Sequence, residues 1–273
     1  MKRAMANLLT HRRIIGEFHV TIKKNINMKI NLLLTVLLFF TITSFGQRSE
    51  SQWKPENTEW YNPVPQVVEP GEGTKPPSDA IILFDGHDLS KWEGTNGEEP
   101  KWKIEGDALV ILPKSGAIHT KDVYGDCQLH IEWRSPEKVE LDGQKRGNSG
   151  VFLQSRYEVQ VLDCFDNSTY VNGQAGSIYK QKAPLVNACR KPGEWQTYDI
   201  FWTAPKFGTA GVLESPAAIT VVHNGILIQN HYVLKGDTPY IGLPEYTPHG
   251  RLPLMLQDHN CPVAFRNIWI RNL

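Results

Sequence analysis

The stretch NSGVFLQSRYEVQVLD, Asn148 to Asp163, decides how this chain folds. Read with a period of two, its YEVQVLD half sends Val159 and Val161 to one side and Glu158 and Gln160 to the other, the alternation of a strand with one face on a core and one face open. A carboxylate and an amide therefore stand together on a displayed surface. Working outward, LHIEWRS sets Leu129, Ile131 and Trp133 against His130, Glu132 and Arg134, and LPLMLQDH sets Leu252, Leu254 and Leu256 against Gln257 and His259. Three extended segments thus offer acid, base, guanidinium and amide groups suited to a hydroxyl-rich ligand. If they are neighbours in the fold, they form one site.

From Ala80 onward, short β-rich runs alternate with Gly, Asn, Asp and Pro, among them IILF, CQLHIEWR, WQTYDIFW and FRNIWIRNL. Dense strands without helical periodicity predict an all-β sandwich of two antiparallel sheets, and about two hundred residues suit one large domain. Asn224-Gly225 separates two apolar runs and predicts a type I′ hairpin over Ile219 to Tyr232. Asp85-Gly86 and Glu105-Gly106-Asp107 are further turn signals, and Trp92, Trp102 and Trp195 are expected to plug the core. Asp163 shares the register of Val159 and Val161, and Asp258 that of the leucines, so both are expected in buried hydrogen bonds. His87, His119, His223 and His249 fall in turns or edges, where solvation is expected.

Lys plus Arg number 29 and Asp plus Glu 29, a net charge of +0, so no field of one sign recommends nucleic acid or an anionic membrane surface as partner. Lys29, the apolar run Leu32 to Ile42 and the small and polar residues through Gly46 read as a secretory signal peptide, too short to span a bilayer. Residues 1 to 47 are accordingly an upstream extension plus signal, with translation expected to start at Met28. The mature protein is expected to be periplasmic or extracellular, without a membrane span. Residues 48 to 78, broken by Pro63, Pro65, Pro70, Pro76 and Pro77, are excluded from helix or central strand and are expected to lie extended over the domain of residues 79 to 273. The four cysteines, Cys127, Cys164, Cys189 and Cys261, allow three pairings, among which the sequence does not choose. Their spacing gives no structural zinc motif.

In order along the chain, ILFDGHDLSKW, EWR, NSG, YEVQVLD, GSIY, GEW, HNG, LQDHN and FRNIWI resemble the 3-keto-disaccharide hydrolase family, over nearly all of Asp79 to Leu273. The resemblance implies a concanavalin-like jelly roll acting on glycosides whose glucose ring is oxidised at C3, by hydrolysis or by elimination. Such a ketone acidifies the hydrogen on C2, because the carbanion is delocalised as an enolate. The chemistry then needs a base, an acid for the glycosidic oxygen and a group to hold enolate charge. Glu158 or His259 is the expected base, and Glu132 the partner acid or the residue that orients Arg134. Arg134 is expected to bind sugar hydroxyls or the enolate oxygen, with Asn148, Gln160 and Gln257 supplying paired donors and acceptors and Tyr179 stacking on or bonding to the ring. A divalent metal held by His259 with Glu132 or Glu158 would also stabilise an enolate. The competing expectation is a non-catalytic carbohydrate-binding jelly roll. Since the chain carries no oxidoreductase motif, a partner sugar 3-oxidoreductase would have to supply the keto substrate.

Overall fold

The computed structural model describes residues 53 to 273, so the expected signal peptide and translation start lie outside the described residues. The chain divides into two compact units, residues 1 to 66 and 67 to 273. The described part of the first contains one 3₁₀ turn, Pro55–Asn57, with proline at its first position and the Thr58 N–H closing onto Pro55 O; Trp53 and Trp60 are exposed.

The second unit is built from strands. In chain order they are β1 (Ile81–Phe84), β2 (Trp92–Gly94), β3 (Lys103–Glu105), β4 (Ala108–Val110), β5 (Ile118–Thr120), β6 (Cys127–Arg134), β7 (Ser149–Leu153) and β8 (Tyr157–Val161). There follow β9 (Gln196–Thr203), β10 (Lys206–Phe207), β11 (Leu213–Ser215), β12 (Ala218–His223), β13 (Ile226–Val233), β14 (Met255–Leu256) and β15 (Ala264–Asn272). Eight strands form one antiparallel sheet in the order β13-β12-β9-β6-β15-β4-β3, with β1 also paired to β15. Five form the other, in the order β2-β5-β14-β7-β8, and β10 and β11 make a separate ribbon. Leu129, Ile131 and Trp133 from the larger sheet and Val151, Val159 and Val161 from the smaller belong to one buried apolar cluster. The two sheets therefore face each other across a shared core, as a jelly-roll β-sandwich requires. The alternate residues of each sheet point outward, on opposite faces of the sandwich.

Local chemistry explains the junctions. Asn224 and Gly225 adopt φ of 52° and 80°, the two positive angles of a type I′ turn between β12 and β13. The Asn224 side chain then donates to Ala188 O and Gln196 Oε1. Trp92 and Trp102 are buried, each indole N–H satisfied by a carbonyl, Leu83 O and Gly116 O respectively. Trp195 departs from expectation: half-buried, it is sandwiched between the guanidinium groups of Arg134 and Arg266, 4.7 and 4.2 Å from its ring centre. His223 also departs. It is buried against Trp133 and Tyr198 and bonded to Gln196, and burial, with the Arg190 charge, lowers its pKa to about 3.

Residues from Val67 to Asp79 belong to this unit and lie along the outer face of the eight-stranded sheet. The Thr74 carbonyl accepts from Asn267 and Trp269, and Asp79 takes a fork of hydrogen bonds from Arg271. Among the described residues, no helix is long and apolar enough to cross a membrane.

Candidate active site

The outer face of the five-stranded sheet carries the cleft. Because Val151, Val159 and Val161 are committed to the core, the alternate residues Gly150 and Phe152 of β7 and Glu158 and Gln160 of β8 face away from it, paired Gly150 with Gln160 and Phe152 with Glu158. On one side β14 pairs with β7, and the Gln257 N–H reaches Gly150 O at 3.0 Å, which brings Gln257 and then His259 to the rim. On the other, the GSIY segment runs along the free edge of β8: Tyr179 N donates to Glu158 O at 3.2 Å and Gln160 N to Ser177 O at 3.0 Å. Thr238 closes the end by accepting from Glu158 N at 3.0 Å while donating to Arg156 O. Asn148, Phe152, Glu158, Gln160, Tyr179, Thr238, Tyr240, Gln257 and His259 enclose about 270 Å³. That is just below the ~300–1,000 Å³ of drug-sized sites, a fit for a single sugar ring.

Glu158 is the chemical centre of this cleft. It is 5% exposed, its carboxylate has no cation or hydrogen-bond donor among the described side chains, and burial pushes its pKa up to about 8. Gly150 makes room for it. A β-carbon at that position would lie 2.5 Å from Glu158 Oε1, so only glycine lets the carboxyl group fold across β7. His259 is exposed at the mouth.

The amides are oriented from behind by Gln144, in the 3₁₀ turn Gly143–Lys145. Asn148 Nδ2 faces Gln144 O at 2.6 Å, and Gln160 Nε2 faces Gln144 Oε1 at 3.1 Å and Gly173 O at 3.3 Å. Backbone carbonyls accept only, so the amide nitrogens must point at them and the two side-chain oxygens are left for a ligand. Gln160 Oε1 and Gln257 Oε1 are buried without a protein partner. A surface of orphaned acceptors calls for donors, and sugar hydroxyls supply them. Tyr179 is buried with its hydroxyl bonded to that of Tyr170 at 2.7 Å, and burial raises its pKa.

Six of the expected residues, Glu158, His259, Asn148, Gln160, Tyr179 and Gln257, thus come together. Glu132 and Arg134 do not. They lie on β6, in the eight-stranded sheet, and face outward on the opposite side of the sandwich. Strand alternation correctly turned both away from the core, but it cannot say which sheet a strand joins. Glu132 is instead held by Arg266 Nε at 2.7 Å, Asn267 Nδ2 at 2.9 Å and Thr74 Oγ1 at 3.1 Å, beside His130. Burial alone would raise its pKa, but the hydrogen bonds from His130, Asn267 and Arg266 prevail and hold it at about 2. Arg134 stacks on Trp195. A metal bridged by His259 and Glu132 is therefore ruled out by position, and among the described residues no three His, Cys, Asp or Glu side chains gather to hold a cation. Asp163 is buried and hydrogen-bonded as expected, to Arg146 and Phe165 N, whereas Asp258 is half-buried and its bonds, from Gly116 N and Asn260 N, are exposed.

Gln144, Gly150, Phe152, Thr238 and Tyr240 escaped the sequence reading. Gly150 alone left a signal, as a glycine inside a strand pattern, which marks close approach. The others come from irregular segments whose placement is tertiary, or from a hydrophobe that alternation does not distinguish.

No curated protein matches this sequence. Among solved structures, a candidate glycosyl hydrolase from Parabacteroides distasonis ATCC 8503 shares 50% identity over 81% of this chain and 97% of its own, with a TM-score of 0.77. Two others from that organism, likewise solved as candidate glycosyl hydrolases, share 19% and 22% identity over 71% of this chain and 94% and 99% of theirs. Their TM-scores of 0.55 and 0.52 support the fold. The sequence pattern of the 3-keto-α-glucoside-1,2-lyase-like domain matches residues 79 to 271, and the chain belongs to that family.

Proposed function

We propose that this protein cleaves the glycosidic bond of glycosides oxidised at C3 of the sugar, with Glu158 as the base that removes the C2 hydrogen. The observation that carries this reading is a buried carboxyl without a compensating cation, its pKa raised to about 8, on the floor of a cleft of sugar-ring size. A base for a carbon acid works best when its pKa lies near the operating pH, and burial supplies that shift here.

In this scheme Glu158 takes the C2 proton, and the C2–H electrons move into an enolate on the C3 oxygen. The enolate collapses to a C1=C2 double bond and expels the glycosidic oxygen, which takes a proton from His259 at the mouth. Water adding across the double bond gives the free keto sugar; without it the product is the unsaturated one. Gln257, whose side-chain amide makes no hydrogen bond within the described protein, is the donor for the C3 oxygen, while Asn148 and Gln160 accept from ring hydroxyls. The route needs no oxocarbenium ion, which agrees with a cleft holding one carboxylate rather than a facing pair.

The test is to incubate the purified protein with a 3-keto-glucoside and with its unoxidised parent and to follow aglycone release. Release from the keto compound alone, with solvent deuterium entering C2, is expected. Retained sugar binding without turnover of either would replace the enzyme by a carbohydrate-binding module.

A further inference from the structure

The segment of residues 164 to 189, which carries Tyr179 of the cleft, begins and ends at a cysteine. Cys164, just beyond β8, is buried, and Cys189, in the loop before β9, is half-buried. The backbone around them keeps the two close: Cys164 Sγ accepts the Ala175 N–H at 3.0 Å, and Cys189 Sγ lies 4.0 Å from Leu162 O, two residues before Cys164. Asn187 fixes the approach from both ends. Its Nδ2 donates to Cys164 O at 2.9 Å and its Oδ1 accepts from Cys189 N at 3.1 Å. The other two cysteines are placed elsewhere, Cys127 on β6 in the core and Cys261 bonded to Lys145 O at 3.3 Å.

We propose that Cys164 and Cys189 form a reversible disulfide that staples the segment between them. That segment presents Tyr179 to the cleft and the Gly173 carbonyl to the amides of Gln144 and Gln160. The oxidant is a small disulfide such as oxidised glutathione. Cys189, the more exposed of the two residues, first exchanges with it to a mixed disulfide, releasing one glutathione thiol. The Cys164 thiolate then attacks the Cys189 sulfur, the Sγ–Sγ bond forms, and the second glutathione leaves as thiol. Two protein thiols are oxidised, one disulfide is reduced to two thiols, and both protons end on glutathione. The N–H of Ala175, which is still in place once Cys189 is in the mixed disulfide, stabilises negative charge on Cys164 as it attacks.

The test is thiol counting on the denatured full chain after equilibration with oxidised glutathione, with peptide mapping and melting curves with and without dithiothreitol. Two of the four thiols should be lost, one cross-linked peptide pair should join residues 164 and 189, and reductant should lower the melting temperature by roughly 5–10 °C. Cys189→Ser should abolish the cross-link and the reductant-dependent shift while Cys127 and Cys261 stay free. Four reactive thiols after oxidation, or a cross-link to Cys127 or Cys261, would overturn the proposal. Because none of these readouts involves turnover, failure of the bridge is distinguishable from failure of the proposed activity.

Discussion

Replacing Gly150 with alanine adds one methyl group and removes no functional group, so it isolates the role of Glu158 placement. The new β-carbon would meet Glu158 Oε1 at 2.5 Å, Phe152 Cε2 at 2.6 Å and Glu158 Cδ at 3.1 Å, where ordinary contact begins at 3.4 Å. The carboxyl group must therefore retreat by about 1 Å, a misplacement that costs on the order of 10²-fold when it falls on a reacting group. As a barrier this is about 2.7 kcal/mol. The fold should tolerate the change. Gly150 is not among the positive-φ residues, its carbonyl still accepts from Gln257, and alanine in a strand interior regains roughly 0.5 kcal/mol of backbone entropy. The assay is the rate of aglycone release from a 3-keto-glucoside, beside a melting curve. A melting temperature within a few degrees of wild type and a kcat/KM lower by about two decades are expected. A rate within threefold of wild type, with the fold intact, would refute the placement of Glu158 as the base.

Glu158→Gln should remove turnover, and the rate at which the C2 hydrogen of the keto substrate exchanges with solvent should climb with pH to a plateau above about 8, as the carboxyl ionises; an exchange rate that falls through that range would remove Glu158 as the base. The same shift affects stability. Between the ordinary carboxyl value and about 8 the unfolded chain has released a proton that the folded chain still holds, so unfolding becomes easier as pH rises, by at most about 5 kcal/mol, and Glu158→Gln should flatten that slope in denaturant titrations. His223 acts with the opposite sign: its pKa is lowered to about 3, the unfolded chain takes up the proton first, and stability should fall as pH drops from about 6.5 toward 3, less steeply in His223→Gln. Glu132→Gln should cost about 2 kcal/mol, less than a fully buried pair because Arg266 keeps Asp107, while kcat on the keto substrate stays within twofold; a collapse of kcat with a native melting temperature would return Glu132 to the mechanism.

Strands, their faces and the compact turns follow from the amino-acid sequence alone. Period-two alternation in YEVQV and CQLHIEWR requires only that one side of each segment avoid water, and Asn224-Gly225 needs only its own backbone freedom to turn a hairpin. Both causes act within a few residues, so both are legible in one dimension. Tertiary structure decided which outward faces belong together. Glu132 and Glu158 obey the same local rule, yet the pairing of β6 with β9 and β15 and of β8 with β7 puts them on opposite sides of the sandwich. The carboxyl that lies across Gly150 and the amides turned by Gln144 likewise depend on strands and loops brought together from separate parts of the chain. A side chain's direction relative to the core is set by its own strand, whereas its neighbours and its proton affinity are set by whatever the rest of the fold packs around it.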